Sequence, residues 1–142
     1  LLADGIAGIK KFIIDSIISG ATAGKVCPPN VLGIGIGGTT DLCMKLAKQA
    51  ALLRPIGDRH PEPRMAKFEL ELKDVINSLN IGPMGCGGKT TVFDVHIEYA
   101  LTHTLGNSVA VNTQCSVARR ATVRVYSDGR SEDRSSPEWF ER

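Results

Sequence analysis

The sequence lacks the long apolar run, the strong net charge and the export signal that would assign it to several common classes of protein. Its longest apolar stretch, residues 6–18, is interrupted by glycine and charged residues and falls short of the roughly 20 residues of a membrane helix. Its basic residues are scattered and its net charge is only +2, which disfavours a nucleic-acid surface. We therefore predict no membrane partner, no nucleic-acid partner and, since no secretory signal is present, a cytoplasmic location.

Closely spaced cysteines are also missing. The four cysteines stand at positions 27, 43, 86 and 115, and none belongs to a Cys-x-x-Cys pair. A zinc ribbon or a bacterial ferredoxin needs that short spacing, and a disulfide framework is not expected without export. The cysteines are therefore free thiols, or some are ligands that the fold gathers from distant positions. Composition alone does not choose between these possibilities.

What the sequence does contain is the pattern of a mixed α/β domain. Isoleucines from Ile6 to Ile18 recur at helical spacing and predict an amphipathic helix that Gly20 and Gly24 end. A buried strand is predicted at 31–36, helices at 42–53 and 65–79, and further strands at 92–99, 109–111 and 122–126. This order predicts a mixed sheet with amphipathic helices packed against it. We expect residues 1–126 to form the domain and 127–142 to be a polar tail or docking segment.

A glycine-rich motif at residues 33–38 invites a nucleotide-binding interpretation. It contains a literal Gly-x-Gly-x-x-Gly after a predicted strand and before a predicted helix, where a pyrophosphate would meet the helix amino terminus. However, Gly37 is a glycine that the nucleotide motif does not require, and Pro55 with the helix after it displaces the strand that should carry the acidic residue. A tight structural turn or another anion site is the preferred interpretation, with a nucleotide site as the alternative.

Three stretches of the chain together carry a family pattern. The first is Val26-Cys27-Pro28-Pro29 followed by residues 33–39; the second is residues 53–57 with Arg59-His60-Pro61 and residues 81–85; the third is residues 87–91 with His96, His103 and Cys115. In this order they resemble the carboxy-terminal half of the α subunit, or α domain, of the class I iron–sulfur fumarate hydratase and L-tartrate dehydratase family. The resemblance covers most of residues 5–125.

The resemblance implies a [4Fe–4S] cluster whose ligands include Cys27 and Cys115. The family uses three cysteines and leaves one iron open as a Lewis acid. The cysteine of the family's CQDTG-type motif is absent from this sequence, as is its glycine-rich substrate loop, so we expect both to lie upstream in a longer protein. Cys43 and Cys86 do not stand where that third ligand belongs. The chain alone is therefore not expected to assemble the whole cluster.

The resemblance also implies a substrate site and partners. His103, Arg119, Gly37 and Gly38 are the predicted substrate-binding residues, with His103 orienting a carboxylate. The catalytic base is expected in a β subunit or domain, and the protein in a homo- or hetero-oligomer. The implied reaction is the reversible hydration of fumarate to malate, with L-tartrate dehydration as the alternative dicarboxylate reaction. A second alternative is a non-catalytic assembly fragment.

Overall fold

The computed structural model describes residues 4–115 and 121–134. Within them a three-stranded sheet lies between helices, which confirms the predicted mixed α/β class. The helices are α1 (Gly5–Thr22), α2 (Thr40–Leu53) and α3 (Pro63–Ser78), and the sheet contains β1 (Asn30–Gly37), β2 (Val92–Ala100) and β3 (Val109–Gln114). A separate hairpin pairs β4 (Val123–Val125) with β5 (Ser131–Asp133). That hairpin spans residue 126, and the domain division there stays a prediction.

The central strand of the sheet is β1, which is parallel to β2 on one side and antiparallel to β3 on the other. The carboxyl ends of β1 and β2 therefore meet at one end of the sheet, where β3 begins. We call this the histidine end, because His103 lies in the loop 101–108 that joins β2 to β3 there. The opposite end, where Cys27 precedes β1, is the cysteine end. Eight residues of β1 place these two ends roughly 23 Å apart.

The two faces of β1 are chemically different. On one face its large side chains, Leu32 and Ile34, enter the main core with side chains of α1 and α3. On the other face Gly33 and Gly35 allow α2 to approach closely. A Cβ atom added at Gly33 would lie 2.1 Å from the carbonyl oxygen of Ala47, and one added at Gly35 would lie 2.0 Å from that of Cys43. Two glycines of the Gly-x-Gly-x-x-Gly motif thus serve helix–strand packing.

The end of α1 corrects one sequence-based prediction. Gly20 does not end the helix, which continues to Thr22. Gly24, at a φ of +64°, does end it: the N–H of Lys25 donates to the carbonyl of Gly20 at 2.9 Å and the N–H of Gly24 to that of Ala21 at 3.2 Å. This is the Schellman arrangement, which requires a left-handed residue beyond the last helical turn. Gly20 accepts one of these bonds and needs no unusual φ itself.

Membrane insertion finds no support in the helices of residues 4–115 and 121–134. None of them combines the length and the apolar character that crossing a bilayer requires.

Candidate functional site

Two of the predicted ligands, Cys27 and Cys115, lie at the cysteine end of the sheet. Cys27 precedes β1 by three residues, and both thiols are exposed and free. Gln114 is registered with Val31 across the β1–β3 pair, so Cys115 follows where β1 begins. The antiparallel pairing of β3 with β1 thus brings two cysteines that are distant in sequence to the same end of the sheet.

The remaining cysteines occupy different surroundings. Cys86 is also exposed and lies in the loop before β2, and the N–H of Met84 in that loop donates to the carbonyl of Pro28 at 2.9 Å. This bond holds the loop beside the Cys27-Pro28 segment. Cys43 is buried on α2, where its thiol donates to the carbonyl of Gly35 at 3.2 Å. Burial raises the pKa of the Cys43 thiol, which suits a packing residue better than a metal ligand.

The donor chemistry at the cysteine end fits part of an iron–sulfur site. Cysteine thiolates are the ligands that such clusters use, and Cys27 and Cys115 are two free thiols at this end. In the described ranges, no three His, Cys, Asp or Glu side chains are grouped closely enough to hold a metal ion. Asn30, only 1% exposed at this end, has both amide atoms without a hydrogen-bond partner. A buried amide normally has partners, so this end has the character of an incomplete site.

His103 lies in a tight turn at the histidine end. Its Nδ1 accepts the N–H of Leu105 at 3.2 Å, and its carbonyl accepts the N–H of Gly106 at 2.7 Å. Because Nδ1 is the acceptor, the neutral ring carries its proton on Nε2. The side chain is exposed. The turn therefore presents an N–H donor that can bind a carboxylate oxygen.

Gly37 and Gly38 also lie at the histidine end, with φ angles of +79° and +66°. The N–H of Gly37 already donates to the carbonyl of Ser108 at 2.8 Å, so it is not available to an anion. Backbone N–H groups at the amino terminus of α2 are likewise already used, because they donate to the carboxylate of Asp41. A hydrogen bond from the Thr39 side chain, together with backbone N–H groups, lowers the pKa of Asp41 in the first turn. Of the two glycines, only Gly38 remains a candidate for donating its N–H to a substrate.

The predicted site residues thus form two groups at opposite ends of the sheet. Cys27 and Cys115 lie at one end, and His103 lies at the other together with Gly37 and Gly38. Arg119 lies outside the described residues. Within one chain, the two groups cannot contact the same small substrate, because the length of β1 separates them.

A buried charge network was not anticipated from the sequence. Arg54 at the end of α2 is 2% exposed, and Glu69 on α3 is fully buried. The Arg54 guanidinium lies 2.5 Å from the Glu69 carboxylate and also donates to Asp58 at 2.7 Å. Glu69 further accepts the backbone N–H groups of His60 at 3.0 Å and Ile97 at 2.9 Å. The network joins α2, the loop after it, α3 and β2.

Asp94 forms the second half of this network inside β2. It is fully buried and accepts hydrogen bonds from Gly57 N–H at 2.6 Å and from Arg59 at 2.8 Å. His96, also fully buried, lies 3.5 Å from it, and Lys73 lies 3.5 Å away as well. Burial alone would raise the pKa of Asp94, but His96, Arg59 and the Gly57 N–H outweigh it and hold that pKa well below its usual range. A charged residue within the apolar run of residues 92–97 was the available sequence clue.

Comparison with known proteins assigns the chain to a class. The profile of the family described as fumarate hydratase (Fumerase) matches residues 1–124. The chain therefore belongs to the fumarate hydratase (Fumerase) family.

Particular relatives are similar over nearly all of this chain. It is 50% identical to the putative L(+)-tartrate dehydratase subunit alpha of Methanocaldococcus jannaschii over 128 residues, which are 90% of this chain and 44% of the relative. It is 41% identical over 126 residues to the L(+)-tartrate dehydratase subunit alpha of Escherichia coli strain UTI89, covering 89% of this chain and 41% of the relative. The chain thus spans less than half the length of these curated relatives.

Proposed function

We propose that this chain is part of the α subunit of a hydro-lyase that adds water to, or removes water from, a four-carbon dicarboxylate. The family match over residues 1–124, with Cys27 and Cys115 exposed at one end of the sheet, is the observation that carries the proposal. The names of the relatives, L(+)-tartrate dehydratase subunit alpha, favour the same reaction class.

In this proposal Cys27 and Cys115 hold two positions of an iron–sulfur cluster. Both are exposed at the same end of the sheet, and a cluster ligand acts as a thiolate. When bound, such a cluster supplies an open iron that acts as a Lewis acid toward the substrate. The third thiolate comes from another part of the complete subunit. A reducing compartment, the cytoplasm as predicted, keeps these free thiols available.

His103 binds and orients a substrate carboxylate in this proposal. Its Nδ1 is occupied by the Leu105 N–H, so its Nε2–H is the donor offered to the anion. Arg119 and the N–H of Gly38 are the further anion contacts proposed from the family pattern. The proton that leaves or joins carbon is handled by a base of the β subunit, whose existence the α-subunit names of the relatives imply.

The separation of the thiols from His103 has a consequence for assembly. A centre that uses Cys27 and His103 together draws them from two copies of the chain, because each copy holds them at opposite ends of its sheet. A two-fold dimer supplies two such centres, each with the thiols of one protomer and the histidine of the other. We include this arrangement in the proposal.

The substrate is either fumarate and malate or L(+)-tartrate. The glycine motifs at residues 37–39 and 87–91 favour the fumarate branch, whereas the relatives are named for L(+)-tartrate. The deciding experiment reconstitutes the complete α and β subunits with iron and sulfide under anaerobic conditions. Turnover of malate and of L(+)-tartrate is then followed separately.

The outcomes of that experiment are distinct. Turnover of either substrate, together with loss of iron in the Cys27→Ser and Cys115→Ser variants, supports the proposal. Iron bound without turnover would favour the assembly-fragment alternative. Full iron content in both cysteine variants would overturn the assignment of these thiols. The exposed Cys86 offers a matched control, because Cys86→Ser is expected to leave the iron content unchanged.

A further inference from the structure

The two lateral edges of the sheet are treated differently by the fold. The outer edge of β2 is closed by side chains rather than by another strand. Asn77 of α3 accepts the N–H groups of Thr91 and Val92 at 2.8 and 2.9 Å and donates to the carbonyl of Val92 at 3.2 Å. Further along the strand, Glu69 accepts the N–H of Ile97, and Arg54 donates to the carbonyl of Ile97. The outward-facing backbone groups of Val92 and Ile97 are therefore already paired.

The outer edge of β3 is open. The N–H of Gly37 donates to the carbonyl of Ser108, and this bond fixes the alternation of the antiparallel ladder. Ala110, Asn112 and Gln114 are in register with Gly35, Gly33 and Val31, so their N–H and C=O groups face β1. The backbone N–H and C=O groups of the alternate residues, Val109, Val111 and Thr113, face away from β1. Within the described ranges β3 pairs with β1 alone.

Apolar surface continues from this open edge onto α1. A groove lies beside the start of β3, lined by Gly8, Ile9, Phe12, Asn107 and Val109. Phe12 is 47% exposed there, and Ile6, which lies six residues earlier in α1, is 61% exposed. An open strand edge next to exposed apolar side chains is a surface that proteins normally cover.

We propose that the β3 edge receives an extended strand from the part of the α subunit that the relatives possess beyond the matched region. That part is more than half of each relative, since the chain covers 44% and 41% of their lengths. One lateral edge of this sheet is closed, so the strand adds to the other. Its backbone pairs with Val109, Val111 and Thr113, and an apolar side chain of the strand covers the groove at Phe12. The proposal rests on family membership and needs no turnover.

Amide hydrogen exchange of the ¹⁵N-labelled chain tests the proposal. In the chain alone, the N–H groups of Val109, Val111 and Thr113 should exchange at least about tenfold faster than those of the alternate residues Ala110, Asn112 and Gln114. The probe added is the remaining part of the Methanocaldococcus jannaschii α subunit. It should slow the three outward N–H groups by at least about tenfold.

Two results would overturn the proposal. The first is binding of the probe with no slowing of exchange at the three outward N–H groups. The second is protection of these N–H groups in the chain alone as its concentration rises, which would show that a second copy is the occupant. A matched pair of variants adds an independent check. Val111→Pro removes an outward N–H, whereas Val111→Ala shortens the same side chain and keeps it. Only the proline variant should lose affinity for the probe beyond the loss caused by shortening the side chain.

Discussion

The guanidinium of Arg54 and the carboxylate of Glu69 lie 2.5 Å apart with both side chains fully shielded from solvent. Neither group has access to water to compensate for the loss of the other. Removing one partner of such a pair leaves an uncompensated buried charge, at a cost of about 3–5 kcal/mol. This pair also ties α2 and α3 to β2, so it supports the strand that leads to the histidine end.

Glu69→Gln should therefore lower the free energy of unfolding by about 3 kcal/mol, the lower end of that range, because Arg54 keeps its charge and loses its buried partner while its pair with the more exposed Asp58 remains. Urea denaturation followed by circular dichroism measures this change. The matched control is Asp15→Asn, which removes an exposed pair with Lys11 on α1 and should leave the denaturation midpoint nearly unchanged. Equal effects of the two substitutions would contradict the role assigned to the buried pair.

Asp94 should make stability depend on pH in the acid range. Its pKa is lowered in the folded chain, so the folded state favours the carboxylate more than the unfolded state does. Its contribution is complete above the unfolded pKa of about 3.9 and is lost as the pH falls toward the folded pKa. The destabilisation caused by Asp94→Asn should thus be about 1 kcal/mol smaller at about pH 3 than at about pH 7.

Urea denaturation of both proteins across that pH range checks the prediction. Asp15→Asn, which changes an exposed carboxylate of α1, provides the comparison. If the free energies of unfolding of the wild type and Asp94→Asn differ by a constant amount down to about pH 3, the folded chain does not favour the ionised form of Asp94.

Gly35 and Gly20 should respond in opposite ways to the same substitution. Gly35→Ala places a Cβ 2.0 Å from the carbonyl oxygen of Cys43, so α2 must move away from the sheet, and the destabilisation should reach about 3 kcal/mol. Gly20→Ala lies within α1, where the added Cβ meets Val26 at an ordinary 3.4 Å. It should stabilise the chain by about 0.5–1 kcal/mol. Thermal unfolding of both variants measures the sign directly, and a neutral Gly35→Ala would disprove the close packing.

Much of the fold could be predicted from sequence because its causes are local. The isoleucine spacing of residues 6–18 and the stop at Pro55 depend on neighbouring residues, and the helices lie where they were predicted. The prediction that Gly20 ends α1 was wrong, because a glycine inside a helix and a glycine beyond its end differ in φ, which the sequence does not show. Packing partners were beyond sequence reasoning: nothing local shows that Gly33 and Gly35 face α2, or that Glu69 meets Arg54.

For the candidate site, the sequence analysis proposed individual residues but not their arrangement, and their roles stay predictions. Cys27, His103 and Cys115 were each chosen from the family pattern, which does not show where the fold places them. The eleven positions between His103 and Cys115 contain the whole of β3, Val109–Gln114. A strand that separates two residues carries them to opposite ends of a sheet. The separation of His103 from Cys115 therefore follows from the length of β3, which the sequence analysis predicted only at residues 109–111.

The most direct test of the proposed centre uses two variants of the complete enzyme that carry different affinity tags. Cys27→Ala and His103→Ala both change exposed side chains, and each variant alone should be inactive. After co-expression, the doubly tagged assembly combines one copy of each. If every centre takes its thiols from one copy and its histidine from the other, one of the two centres in a two-fold dimer is intact, and about half of the wild-type activity should return. A doubly tagged assembly as inactive as either variant alone would contradict the account.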